Sequence, residues 1–402
     1  MKLNLKDFAV FSCILLCAGV ARAAEEYQPI KAGSFLLSPK LILEQNYSDN
    51  IYATDGNEES DFISVAKPSL KIEKSIRDHE FKWENSAEIF QYRGNSDENR
   101  MNYKSELSGK LVARRVLTLP FKLSYGVNHN ERRYERSSMT REPTQYQQLK
   151  SEIGALYKPG RLGIGVYGGY NQTRYDNGTS FAGAPVIRED GDYDTIYLKT
   201  EAEFTTRTEL TPFVSLLVSE NDFLRRTFDG TGFNGVARDN RLMQALTGAR
   251  FEYHDMLEGS AAFGHDWRRY DDDAVEDVTA LSAQGSLSWW PVMKTKLMLD
   301  FLRQSEEDNV VDDGTVETRV TFGLDYELKN DLFLKSMTEW EGTEFENLNR
   351  SDDIYAGSIG FSYVLNRKLE VGASYLHRFR ESTQIGSDFS ENVFLLRLTG
   401  KL

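Results

Sequence analysis

Beyond residue 17 the 402-residue chain has no cysteine. Cys13 and Cys17 fall in an N-terminal stretch with Lys2, Lys6, an apolar run from Phe8 to Val20 and the small-residue site Ala21-Arg22-Ala23. That stretch reads as a secretory signal peptide, residues 1–23, cut after Ala23. The exported chain would then hold no thiol, no disulfide and no Cys-ligated metal. The apolar run is shorter than the roughly 20 residues a membrane-spanning helix needs. A net positive charge is also lacking: 62 acidic against 48 basic residues give -14, and removal of Lys2, Lys6, Asp7 and Arg22 takes it to -16. Such a balance repels phosphate and argues against nucleic acid as a partner. Linkers rich in proline or serine are missing too, with 9 prolines in all, and no shift of composition marks a domain boundary.

What the chain does have is a rhythm. From Phe35 to Leu43 every second residue is apolar or proline, while Ser38, Lys40 and Glu44 take the other parity. This is a strand with one greasy and one mostly polar face. An acidic run from Asp49 to Asp61 follows, then a second strand from Phe62 to Lys74 and a short polar turn from Ser75 to His79. The unit repeats. Short reversals are expected at Arg114-Arg115, Lys158-Pro159-Gly160-Arg161, Thr206 to Thr208, His254-Asp255, Trp290-Pro291-Val292, Lys329-Asn330-Asp331 and Asn366-Arg367. Long polar connections alternate with them at Arg93 to Arg100, Glu131 to Thr144, Tyr175 to Asp192, Asn221 to Asn240, Asp271 to Asp277, Glu306 to Gly314, Glu341 to Asp353 and Arg380 to Asp388.

Strands of about 9 to 13 residues suit a tilted crossing of a bilayer, and soluble sandwich strands are about half that length. Strict alternation of long and short connections is the asymmetry between the outer loops and periplasmic turns of an outer-membrane barrel. Trp83, Trp267, Trp289, Trp340, Tyr47, Tyr103, Tyr170 and Tyr253 sit near strand ends, where amphipathic rings favour the membrane interface. The expected fold is therefore all-β: a transmembrane antiparallel β-barrel of the cell outer membrane with about 18 strands, 16 to 18 being the range. A short periplasmic segment, 24–33, would precede a single barrel at 34–402. An even count pairs the first strand with the last, so no edge faces lipid.

If the apolar parity faces lipid, the other parity lines the lumen. The lumen-lining candidates are Lys82, Lys104, Lys110, Tyr167, Lys199, Arg250, Arg319 and Arg397, with glutamates interleaved among the cations. A barrel of this size encloses water, so such charges stay hydrated and partly paired. Chemistry beyond a polar lining is not indicated. The five histidines have no metal-gathering spacing, and no nucleophile elbow, glycine-rich phosphate loop or zinc motif occurs, so neither catalysis nor a cofactor is expected. Acidic clusters at Asp271 to Asp273 and Glu306 to Asp313 read as a solvated rim that bridges to lipopolysaccharide through divalent ions.

The first hairpin also carries a resemblance. Gly33 and Phe35, the Pro39 strand, Tyr47-Ser48-Asp49-Asn50-Ile51-Tyr52, Ser60-Asp61-Phe62-Ile63 and Pro68 resemble the start of the type-2 β-barrel porin family of Gram-negative outer membranes. The last strand resembles the insertion signal read by the barrel assembly machinery, although it ends on Leu402 where an aromatic is usual. The resemblance implies a conduit that secretes an exopolysaccharide or capsular polysaccharide, delivered by a periplasmic polysaccharide-export protein. Tyr167, Lys104 and Arg319 would then touch the carbohydrate. The other expectations are a general or substrate-specific porin for small solutes, and a structural or adhesive surface protein.

Overall fold

The computed structural model describes residues 29–133, 140–206, 209–307, 314–345 and 350–401. The expected signal peptide, both cysteines, positions 24–28, the acidic residues at 308–313 and the terminal Leu402 lie outside the described residues.

Eighteen long strands make the body of the protein. In chain order they are β1 (Phe35–Ser48), β2 (Asp61–Ile76), β3 (His79–Tyr92), β4 (Arg100–Arg114), β5 (Leu117–His129) and β6 (Gln145–Tyr157). Then come β7 (Leu162–Tyr175), β8 (Tyr193–Phe204), β9 (Leu210–Phe223), β10 (Asn240–Tyr253), β11 (Leu257–Tyr270) and β12 (Val278–Val292). The last six are β13 (Thr295–Glu307), β14 (Gly314–Lys329), β15 (Leu332–Phe345), β16 (Arg350–Asn366), β17 (Leu369–Ser382) and β18 (Phe389–Lys401). Each pairs antiparallel with its chain neighbours, and β18 pairs back onto β1 from Lys40↔Lys401 to Ser48↔Val393. The sheet is thus a closed 18-stranded barrel with no free edge.

The alternating sequence explains the two faces. Phe263 and Leu281 are each 67% exposed, whereas Glu44 on the other parity is 5% exposed. This inverts a soluble domain, in which large apolar side chains go inside. It fits a wall whose outer solvent is hydrocarbon.

The strands run from 12 to 17 residues, longer than the periodicity predicts. Their ladders continue past the apolar belt into polar ends such as Asn221↔Asn240 and Asp352↔Ser382. The connections after β13 and β15 are correspondingly shorter than expected. The expected reversal at Trp290-Pro291-Val292 is displaced. β12 continues to Val292 through a register shift after Trp289, and the chain turns at the next two residues. Pro291 is tolerated because it sits in that shift, where no ladder donor is required. At the short-turn end His254 and Asp255 have φ of 47° and 53°, the paired left-handed geometry of a tight hairpin turn. A short strand that the pattern does not predict, Ile30–Ala32, folds back on β1 through Gly33, whose φ is +63°.

Candidate functional site

The inner face of a closed sheet is concave, so side chains from strands two apart can meet there. Arg250 on β10 reaches over β9 to Glu201 at 2.7 Å and Glu203 at 3.2 Å on β8. The Tyr197 hydroxyl on β8 donates over β7 to Glu152 on β6 at 2.8 Å. These contacts mark the charged parity as the concave one.

Seven of the eight lining candidates are held in ion pairs. Lys82 meets Glu84 at 2.9 Å, Lys104 meets Glu106 at 3.1 Å, Lys110 meets Glu80 at 2.7 Å and Lys199 meets Glu201 at 3.8 Å. Arg250 is described above, and Arg319 meets Glu341 at 3.0 Å. Arg397 meets Glu44 at 2.7 Å across the closure of the barrel, and Lys67 meets the same carboxylate from β2 at 3.2 Å. Tyr167 is placed differently. A Cβ built at Gly154 would lie 2.3 Å from its ring, and one at Gly165 2.7 Å. The ring therefore lies flat over glycines on its own and the adjoining strand, as the Tyr197 ring does over Gly169.

The connection after β5 is described at 130–133 and 140–144, and at Arg132 and Arg133 it turns inward. Its Arg132 forms a buried ion pair with Glu98 and donates to the backbone carbonyls of Thr140 at 2.6 Å and Arg141 at 2.8 Å. One residue on, the Arg133 carbonyl accepts from Arg380 Nη1 on β17 at 2.9 Å. Around the barrel β17 lies six strands away from β5, so this bond ties the connection to a distant part of the wall. Arg380 Nε also holds the Ser387 carbonyl at 2.5 Å.

A second intrusion comes from the β13–β14 hairpin. β12 stops pairing with β13 at Ala283↔Arg303. Beyond that point Ser305 N donates to Asp266 Oδ2 at 3.0 Å, and Arg268 Nε donates to Ser305 Oγ at 2.9 Å. Both partners are on the inner face of β11, two strands away. The hairpin end therefore leans inward across the end of β12.

The other long connections interlock around them. Arg141 N donates to the Thr179 carbonyl at 2.7 Å, and Tyr52 packs edge-on against Phe181 with ring centres 6.3 Å apart. Buried Arg238 donates to the Asp190 carbonyl. Asp272 accepts from Ala237 N at 3.0 Å and Ala274 N at 3.1 Å. Those two amides, with Arg226 nearby, hold the Asp272 carboxyl below its usual range. Burial pushes the Asp192 carboxyl above it, against the bond from Tyr175 N. Asp272 of the acidic rim is thus committed to tying two loops together.

Sequence reasoning places Glu131 to Thr144 only as a long charged loop. The adjacent Arg132 and Arg133 are the one local signal that it differs from the acidic connections. Nothing local points to Arg380, or to Asp266 and Arg268 as anchors of a leaning hairpin.

The family model described as "Putative beta-barrel porin 2" matches residues 26–402. The chain belongs to this porin family. Among solved structures, the porin resembles the outer membrane protein OpdK from Pseudomonas aeruginosa, with 10% identity, 91% of this chain and 99% of that one covered, and a TM-score of 0.46. It also resembles OccK2 (OpdF) of the same organism, solved in complex with glucuronate, at 10% identity, 91% and 98% coverage and a TM-score of 0.46. A mutant ferric enterobactin receptor, PfeA, also from Pseudomonas aeruginosa, follows at 8% identity, 91% and 81% coverage and a TM-score of 0.45. No curated relative matches the chain.

Proposed function

We propose that this porin is a diffusion channel of the outer membrane, narrowed from within, for small hydrophilic solutes. What carries the reading is the bond from Arg380 to the Arg133 carbonyl, because it fastens a connection from β5 to the wall at β17. A strand ring of this number encloses a water-filled space, and an inward connection reduces it. Both signs of charge alternate along the lining, so the passage favours hydrated polar solutes over one sign of ion. The ion-paired lining keeps the side chains against the wall and out of the path.

The second reading is the exopolysaccharide or capsular conduit that the resemblance of the first hairpin implies; the family match over residues 26–402 is consistent with either reading. In it Lys104, Arg319 and the flat ring of Tyr167 contact the sugar chain, and a periplasmic export protein delivers the polymer. Liposome swelling separates the two. Small-solute diffusion predicts swelling rates that fall steeply from monosaccharides to trisaccharides. If deletion of the gene abolishes surface polysaccharide while sugar uptake is unchanged, the conduit replaces the diffusion channel.

A further inference from the structure

The outer wall is not uniform around the barrel. On β8 to β16 its middle presents mostly apolar side chains such as Leu198, Leu216, Phe263, Leu281, Phe322 and Phe361, with short hydroxyls at Thr200, Thr247, Ser336 and Thr338 but no amide among them. On β1 to β4 the same face carries Gln45, Ser64, Asn85, Gln91 and Ser105. Ser64 Oγ donates to Gln45 Oε1 at 2.8 Å, the Tyr103 hydroxyl to Asn85 Oδ1 at 3.0 Å, and Trp83 Nε1 to Ser105 Oγ at 3.0 Å. The first two bonds each occupy the oxygen end of an amide, and the other ends of Gln45 and Asn85 have no partner among the described residues. Hydrocarbon offers them none.

The same sector is hollowed. A groove of about 640 Å³ has Ser64 and Ala66 at its floor, with Leu43 and Gln45 on one side and Ile89 and Gln91 on the other. Its β18 edge is lined by Leu396, which with Phe394 rises as a ridge, the two being 63% and 55% exposed.

We infer that this sector of β18 and β1 to β4 is the contact surface for a second copy of the chain, related by a two-fold axis. A two-fold contact requires a patch complementary to itself. Here the ridge and the groove lie side by side, so rotation sets the ridge of one copy into the groove of the other. An amide supplies both donor and acceptor, so glutamines of the two copies can pair with each other. The middle of the sector carries no charged side chain on its outer face, so the copies do not repel. An acyl chain would fill the groove and leave the amides unpaired.

The native cysteines are confined to positions 13 and 17, so an introduced thiol reports cleanly. In outer membranes from expressing cells, Ser64→Cys and Leu396→Cys treated with a short bis-maleimide give a species of twice the chain mass. Leu216→Cys on the opposite wall does not. Adding Gln45→Leu and Gln91→Leu to Ser64→Cys lowers the cross-linked fraction by about tenfold, the equivalent of one or two lost amide bonds in a membrane. Folding of every variant is checked by the change of gel mobility on boiling, and Leu396→Cys stands in if Ser64→Cys fails that check. Equal cross-linking from Leu216→Cys overturns the inference. So does a monomer mass from folded Ser64→Cys and Leu396→Cys, or an adduct with a different protein.

Discussion

At the scale of single residues, burial decides which charges matter. Glu44 is almost fully enclosed and holds both Arg397 and Lys67, so three strands meet through one carboxylate at the point where the barrel closes. Glu44→Gln leaves two cations facing a neutral amide. Loss of one partner from a buried ionic cluster costs about 3 kcal/mol. The expected result is a lower urea midpoint for unfolding, read from the fraction that keeps folded mobility on an unheated gel. Lys82 and Glu84 are 40% and 43% exposed at the side chain. Lys82→Ala should shift that midpoint by no more than about 0.5 kcal/mol. Equal effects from the two substitutions would mean that the closure cluster is no tighter than the rest of the lining. The parity of all these positions is legible in the sequence, since alternation is a local pattern. Their partners are not. That Glu44 receives Arg397 depends on closure of the ring, which joins residues more than 350 positions apart.

At the scale of elements, the connections are held by different kinds of bond. Asp272 ties the loop between β9 and β10 to the one between β11 and β12. Its carboxyl is depressed by the amides of Ala237 and Ala274, so it binds fewer protons in the folded loops than in released ones. The stability it adds is therefore present above the usual carboxylate range, near pH 4, and is lost as pH falls through its depressed folded value. Asp192, raised by burial, works in the opposite sense and favours its loop as pH falls through its elevated value. Asp272→Asn removes the charged acceptor at every pH. At neutral pH, trypsin should then cut the β9–β10 loop at Arg225 or Arg226 faster than in the unaltered chain. Unchanged cleavage would show that the loop is held without Asp272. The turn at Lys158 to Arg161 is legible in its Pro-Gly pair. The inward turn at Arg132 and Arg133 is not, because a bond between Arg133 and Arg380 leaves no spacing or motif in either segment. The Trp290-Pro291-Val292 reversal is misplaced for a related reason: proline reads as a turn, yet at a register shift a strand accommodates it.

At the scale of the whole molecule, two surfaces do different work. The inner one is charged, paired and crossed by the tether of Arg133 to Arg380, and the outer one is mostly apolar, with a hollowed, amide-bearing sector on one side. Strand number and closure follow from the repeated hairpin, and the family match over 26–402 agrees with the resemblance carried by the first of those hairpins. A water-filled path through the barrel, narrowed where Arg133 is tethered to Arg380, is the property on which the proposed function rests. Unit conductance in a planar bilayer tests it most directly, comparing the intact porin with a variant in which residues 131–142 are replaced by a short glycine-serine link, and with Arg380→Ala. Stepwise openings are expected for all three, largest without the connection and more variable when only its Arg380 tether is lost. Absence of openings in all three, or the same unit conductance with and without 131–142, would contradict it.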